Sequence, residues 1–521
     1  MSFTSVGFIG FLAAVVVLYY ALPKKCQWIF LLAASYGFYM AGGVKTVVYL
    51  LFTTLSTFVA GLWLGRLNAR KDALTGPEKK AQAPVFKRKK QMVTALVLIA
   101  NFGLLFALKY WNFTASAVSG ATGGSVILPQ LNLLMPLGIS FYMFQSVGYV
   151  VDCYRGKYKP QRNVFKYALF TSFFPQVVQG PISRYDQLSP QLMAEHSFHA
   201  DHLKYGIQLC MWGYFKKLVI ADRAAVLVNT VFGDYTSYSG SIIALAVFFY
   251  CIQLYCDFSG GIDVTRGAAQ MLGIDLAENF RRPLFATSLA DYWRRWHITL
   301  GQWMRDYVFF SLTLSKPILK LGKWSRKKIS GTLGKVIPTA TATFVVYLFI
   351  GIWHGANFRY IFYGLWNGAI ITSSQLLANT YYRCRTKLKL ADDNRGLYVF
   401  RMVRTWILVF LGRYITRAPR LMAAFYMMWV TVSRPVLSDL WNGTALTLGI
   451  ARVDYVIVLG AMAIVVAVEF FQERGTEIRK WLEQRGFLVQ WLAILLPLLV
   501  LLVTGILRGD YISSEFIYKQ F

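Results

Sequence analysis

"VKTVVYLLFTTLSTFVAGLWL", residues 44–64, carries one lysine and no acid over its whole length. A helix needs roughly 20 predominantly apolar residues to cross the hydrocarbon core of a bilayer, and this stretch supplies them unaided. Comparable apolar blocks recur at 6–22, 28–40, 92–110, 203–220, 242–256, 337–353, 360–377, 421–432, 453–471 and 488–507. Of 521 residues, 56% are hydrophobic and 15% charged, whereas a soluble domain usually carries about 25% charged residues. The pattern specifies an all-α polytopic membrane protein of about ten to twelve transmembrane segments. No Lys or Arg precedes the first block, and Lys24 and Lys25 follow it without a small-x-small cleavage site. It is expected to stay as the first membrane helix rather than leave as a signal peptide.

The formal charge of +31 raises the question of nucleic acid, but the basic residues lie between apolar blocks. Residues 66–90 hold Arg66, Arg70, Lys71, Lys79, Lys80 and the run from Lys87 to Lys90, and residues 316–335 are basic with no acid. Short Lys/Arg-rich loops lie on the cytoplasmic side, where anionic headgroups meet them. Membrane topology therefore accounts for the charge, and a nucleic-acid partner is not expected. Lys24-Lys25 inside, Gly42-Gly43 outside, 66–90 inside, 112–125 outside and 152–162 inside form a consistent set. They put the N-terminus outside the cell.

The chain reads as a single membrane domain in three stretches: spanning helices over 1–130, a motif-bearing core over 131–370, and further helices over 371–521. In the core, proline, glycine and charge punctuate the apolar runs, as in "TSFFPQVVQGPISRYDQ" at 171–187. Pro175, Gly180 and Pro181 break any spanning helix there. Non-helical backbone survives at membrane depth only where protein or a water-filled cavity covers it. Re-entrant or broken segments are thus expected in the core, and a site with them. The six cysteines show no C-x-x-C pair and no metal-ligand spacing, so neither disulfides nor a metal site are expected.

Two of the five histidines stand apart. His196, His199 and His202 cluster in "EHSFHADHL", which reads as an interfacial segment rather than a metal site. His354 ends an apolar block in "FIGIWHGANF" (349–358), with Gly351 one turn before it and Gly355 directly after. The glycines allow close approach of a ligand or of another backbone. An ionisable residue within a membrane segment is by default functional, although a neutral histidine bonded between helices is the plain alternative. Its ordinary pKa near 6.5 makes histidine a ready general base, so His354 is the first candidate for catalysis.

His297 lies in "DYWRRWHITLGQWMRDY" (291–307). Read as one continuous helix of 3.6 residues per turn, this run puts Trp293, Trp296, Leu300, Trp303 and Tyr307 on a packing stripe. Arg294, His297, Gly301 and Arg305 fall on a second stripe, and Asp291 reaches Arg294 or Arg295. An interfacial helix with snorkelling arginines explains the tryptophans and arginines. A cationic cavity wall also explains His297 and the opening at Gly301. Asp257 and Asp263, in "CDFSGGID", either orient an imidazole or satisfy a helix end.

Six ordered motifs resemble the bacterial membrane-bound O-acyltransferases, in the branch of the alginate O-acetylation membrane subunit. They are "PLGISFYMFQSVGYVVDCYRG" (136–156), "FFPQVVQGPISRY" (173–185), "LYCDFSGGIDVTRGAAQMLGI" (254–274), "ENFRRPLFATSLADYWRRWHITLGQWMRDYVFFSL" (278–312), "GIWHGANFRYIFYGLWNG" (351–368) and the terminal "FIYKQF" (516–521). The D-alanyl transfer protein of teichoic acid synthesis is a related protein. The resemblance implies a ring of membrane helices around a thin centre, with a cytoplasmic cavity for an acyl thioester. It implies that His354 is catalytic and His297 the second functional histidine. The expected donor is acetyl-CoA or another acyl thioester, with no bound cofactor, and Arg294, Arg305 and Trp296 are expected to hold it. Asp257, Gly301 and Gly355 are expected to support the site. The acyl group would pass outward across the bacterial inner membrane to an envelope polysaccharide. An extracytoplasmic SGNH-type acyltransferase or a small membrane relay peptide would complete the transfer. Three departures are visible: Asn367 where many relatives carry a histidine, "DFSGGID" at 257–263, and "GRYITRA" at 412–418. In the last, Arg413 is expected to alter lipid or partner contact. A transporter or flippase of envelope precursors, the reading from another class, calls for inverted repeats, and the sequence has none.

Overall fold

The computed structural model describes residues 2–329, 331–391 and 393–505. The terminal motif at 516–521 lies outside the described residues. The described chain is built from helices, and its one strand-like feature is an isolated antiparallel bridge between Phe280 and Trp296. Six helices are long and apolar enough to cross a membrane: Val44–Ala73, Gly76–Ala121, Gly240–Met271, Gly331–His354, Arg452–Glu473 and Phe487–Thr504. Val6–Ala21 and Leu421–Ser433 are apolar but shorter. These six, counted among the described residues, fit the expected all-α polytopic membrane protein, and several other apolar blocks form short or interrupted helices. Residues 28–40 lie on the 14-residue helix Gln27–Met40. Residues 203–220 begin on Ala200–Tyr214 and run on through Phe215–Ala221, a wider turn with i→i+5 bonding. A helix packed inside protein is as apolar as one facing lipid, so composition alone does not separate the two.

The described contacts divide the chain into two compact units, Met1–Cys210 with Gly261–Ala277, and Met211–Gly260 with Glu278–Phe521. In the first unit the basic stretch 66–90 is not a loop. It is a helical hairpin of Val47–Ala73 and Gly76–Leu105. Lysine and arginine are good helix formers, and Pro77 fits the first turn of the second helix, where its missing N–H costs nothing. Residues 112–125 are likewise mostly helical, on Trp111–Ala121. The broken segment at 173–183 is buried along its whole length, as backbone of this kind must be. Side chains contribute around it: Ser35 Oγ accepts from the Phe174 amide at 3.1 Å, Gln145 Nε2 donates to the Phe170 carbonyl just before it at 2.6 Å, and the Ser183 hydroxyl donates to the Gln176 side chain at 2.8 Å. Gly138, at φ 70°, starts the earlier helix Ile139–Arg155 against the Val177 carbonyl, where a Cβ would sit 1.9 Å from that oxygen.

In the second unit, the Gly331–His354 and Phe358–Leu376 helices form a tight hairpin. Gly351 and Gly364 face each other across it, and a Cβ on Gly351 would lie 2.5 Å from the Tyr360 carbonyl oxygen and 2.8 Å from the Gly364 Cα. Of the two approaches open to the glycines around His354, Gly351 serves that of another backbone. Asn357 caps the return helix by accepting from the Arg359 amide at 3.1 Å. A buried charge cluster lies elsewhere in this unit: Lys217 pairs with Asp222 at 2.9 Å and with Asp257 at 2.5 Å.

Candidate active site

His354 is the last residue of its helix and is half-buried. The chain turns immediately after it because Gly355 lies under the Tyr360 ring, where a Cβ would be 2.7 Å from a ring carbon. The imidazole lines a small cavity of about 30 Å³. Tyr250, Leu254, Trp293 and Trp296 close one part of it, and Tyr360, Tyr363, Arg413 and Thr416 the rest. The ring centroid of His354 is 5.1 Å from Trp353 and 6.4 Å from each of Tyr360 and Tyr363. The wall is thus aromatic, with one imidazole and one guanidinium turned into it.

His297 reaches the same neighbourhood by a route the helical reading missed. The run 291–307 is not one helix: Leu289–Arg295 ends, His297 takes a left-handed conformation (φ 47°, ψ 52°), and Ile298–Trp303 starts anew. The break is imposed from 279–281. The Arg281 amide donates to the Arg295 carbonyl at 2.8 Å, and the Ile298 amide to the Asn279 carbonyl at 3.0 Å. These bonds withdraw backbone groups that a continuous helix would use. The Asn279 side-chain oxygen accepts from the Thr299 amide at 3.0 Å and the Thr299 hydroxyl at 2.9 Å, and stands 3.2 Å from His297 Nδ1. Because a backbone N–H fixes which end of the amide is oxygen, Nδ1 must be the protonated nitrogen. The ring is 1% exposed, with the edge of Phe258 4.9 Å away and Trp353 at 5.7 Å. Burial pushes the His297 imidazole well below its usual 6.5, and the neighbouring charge of His354 adds to the shift. Trp353 therefore lies next to both histidines.

The proposed second stripe is dissolved by the same break. Arg294 and Arg305 do not share a face with the buried His297; their side chains are 75% and 59% exposed, against Asp291 at 3.4 Å and Asp306 at 3.0 Å. Asp291 bonds Arg295 as well, at 3.1 Å, and Arg295 also meets Glu473 at 3.0 Å. Trp296 lines the cavity, stacked on Tyr292 at 5.4 Å. Gly301 makes no tight approach, since a Cβ there would meet only the Trp293 carbonyl at 3.7 Å. Asp257 does not orient an imidazole by any bond described; its carboxylate holds Lys217. Asp263 stands 4.0 Å from Arg266, and that pair lies in the first unit. Asn367 accepts from Trp293 Nε1 at 3.0 Å and donates to the Tyr363 carbonyl at 2.8 Å, so it braces two cavity walls.

Arg413 corrects a second expectation. It is 5% exposed and lies in the cavity wall, where it meets neither lipid nor partner. No role was expected of Asn279, and a different one was expected of Arg413. Nothing in spacing marks an amide that will hold a ring, or an arginine that will turn inward. Among the other histidines, His199 and His202 have centroids 5.3 Å apart. Among the described residues no group of three or more His, Cys, Asp or Glu could hold a metal ion.

Comparison with known proteins adds a second line of evidence. The sequence model of MBOAT, the membrane-bound O-acyltransferase family, matches residues 161–326, a range that includes His297 and stops short of His354. The chain is similar to the "Probable alginate O-acetylase AlgI" of Pseudomonas aeruginosa, 31% identical over 420 residues that make up 80% of this chain and 72% of that protein. The protein of the same name from Pseudomonas syringae pv. tomato is 29% identical over 477 residues, 90% of this chain and 82% of its own length. The "Teichoic acid D-alanyltransferase" of Bacillus subtilis is 28% identical over 322 residues, 61% of this chain and 76% of its own.

Proposed function

This chain belongs to the membrane-bound O-acyltransferase family, and from that premise we propose that it carries an acetyl group from a cytoplasmic thioester outward, for O-acylation of an envelope polysaccharide. The observation that carries the reading is the half-buried imidazole of His354 in an aromatic cavity. His354 takes the proton of the acceptor hydroxyl as the hydroxyl oxygen attacks the thioester carbonyl. The apolar rings around it keep bulk water from competing for the donor. His297, with Nδ1–H committed to Asn279, is neutral and offers Nε2 as an acceptor. That suits orienting a donor or acceptor group rather than stabilising an anion.

The acetyl-CoA phosphates meet exposed basic side chains, Arg294 and Arg305 among them. Trp296 packs against the acyl end. We place the protein in the bacterial inner membrane with its N-terminus outside. An SGNH-type acyltransferase or a small relay peptide is the extracytoplasmic partner that completes delivery. D-alanyl transfer, the activity in the name of the Bacillus relative, would use the same geometry with another donor.

The test is His354→Ala. Envelope O-acetyl content should fall to background while the protein inserts and accumulates normally, and His297→Ala should be severely impaired. Substantial acylation by the His354 variant at normal protein level would overturn the mechanism.

A further inference from the structure

Buried cations in proteins are paired with carboxylates, because an uncompensated charge out of water is costly. Several half-buried arginines of this unit have such partners: Arg295 meets Asp291 and Glu473, Arg282 meets Glu473 at 2.6 Å, and Arg223 meets Asp454 at 3.0 Å. Arg359 and Arg417 bond the Ala418 carbonyl and the Asn229 side chain instead, and Arg413 belongs with these. More deeply buried than any of these, it has no carboxylate partner among the described residues. Its Nη2 donates to the Tyr292 hydroxyl at 2.5 Å, and its guanidinium carbon lies 5.3 Å from the Trp296 ring centroid and 5.9 Å from that of Tyr292. Its Nε is buried without a hydrogen-bond partner. The same side chain lines the cavity that His354 lines. A cation whose Nε has no partner within the protein, in a cavity with a candidate base, is suited to meet a negative charge there.

The character of the cavity wall narrows the choice of anion. It is mostly aromatic with one guanidinium, which suits the single charge developing on a carbonyl oxygen better than the several charges of a diphosphate. The N–H of the His297 ring is directed at Asn279, and the other donors in the lining, the hydroxyls of Tyr250, Tyr360, Tyr363 and Thr416 among them, are neutral, whereas Arg413 carries the charge.

We propose that Arg413 is the oxyanion-binding residue of the cavity. It receives the negative charge that develops on the acyl carbonyl oxygen, a role that rests on the acyl-transfer reading above. As the acceptor oxygen bonds to the carbonyl carbon, its proton passes to His354 and the carbonyl π pair moves onto oxygen, beside Arg413. When the intermediate collapses, the pair returns, the C–S bond breaks, and the thiolate takes the proton back from His354. Ester and free thiol leave, with His354 and Arg413 unchanged. A carboxylate partner would cancel the field that makes this arginine useful, whereas Tyr292 orients it without adding charge. Preorganised donors aimed at charge that exists only in the transition state act on kcat rather than on donor binding.

The experiment uses the full chain in lipid nanodiscs with acetyl-CoA and a polysaccharide hydroxyl acceptor, following release of the CoA thiol. Arg413→Met should lower kcat by roughly 100- to 1,000-fold, with KM for acetyl-CoA within about 3-fold. Arg413→Lys keeps the buried charge, guards against a folding failure, and should recover part of the loss with the same KM. A rise in KM at retained kcat would make Arg413 a ground-state donor contact and overturn the proposal. So would normal kcat in a folded Lys or Met variant. His354→Ala, run in parallel, separates the two readings. If it turns over like the wild type, acyl transfer at this site fails; if it is dead while Arg413 variants are normal, only the role of Arg413 fails.

Discussion

His297 holds a left-handed backbone conformation, which a non-glycine residue adopts at a strain of roughly 1–3 kcal/mol. Three donors converging on the Asn279 oxygen, together with the backbone bonds from 279–281, offset that strain. The consequence is a ring kept neutral. Below the unfolded value near 6.5 the unfolded chain binds a proton that the native ring refuses, so stability falls as pH drops through that value. The slope from this group approaches about 1.4 kcal/mol per pH unit, and above pH 6.5 the group contributes none. The unfolding midpoint of wild-type protein should therefore fall between pH 7 and pH 5, and Asn279→Asp should fall less, because a carboxylate at Nδ1 stabilises the charged ring. Equal slopes in the two proteins would count against a neutral His297. At this scale His354 and His297 were legible from their company of glycine and tryptophan in apolar sequence. Asn279 and Arg413 were not, because their roles depend on which way the side chain turns.

At the scale of elements, the hairpin that ends in His354 depends on glycine at one crossing. Gly351→Ala forces a Cβ to 2.5 Å from the Tyr360 carbonyl oxygen, so the two helices must separate. Overpacking of this kind costs about 1–3 kcal/mol. The variant should melt earlier in detergent and lose O-acetylation, since His354 lies three residues further on. Gly301→Ala provides the contrast: its nearest neighbour would be 3.7 Å away. It sits in the Ile298–Trp303 helix, and Gly→Ala in a compatible helical position gains about 0.4–1 kcal/mol. Its melting temperature should hold or rise; a marked fall in both stability and activity would restore Gly301 as a necessary opening. The 291–307 run shows why one helix was expected. Its 3.6 periodicity is real within each piece, but hydrogen bonds from a segment more than ten residues upstream interrupt it, and periodicity carries no trace of those partners.

For the whole molecule, sidedness is the outstanding physical question, and the chain contains its own probes. Cys26 and Cys384 are exposed, while Cys153, Cys210 and Cys256 are buried. Both exposed thiols lie beside basic residues, Lys24-Lys25 and Arg383-Arg385, which the charge asymmetry places in the cytoplasm. An impermeant maleimide should label neither in intact cells stripped of their outer barrier, and both after permeabilisation. Ser125→Cys, exposed in the 112–125 stretch, should label from outside. Labelling of Cys26 or Cys384 from outside would reverse the orientation. The membrane class, the helical architecture and the broken core followed from sequence alone, because bilayer thickness and backbone hydrogen bonding act on any apolar run in the same way. Sequence also singled out the two histidines. Tertiary structure alone decided which apolar blocks are short or interrupted, where the 291–307 run breaks, and that Asp257 pairs with Lys217. It also decided that Arg413 faces the cavity. Those outcomes depend on bonds between residues far apart in the chain, and no local pattern of side chains encodes the partner at the other end.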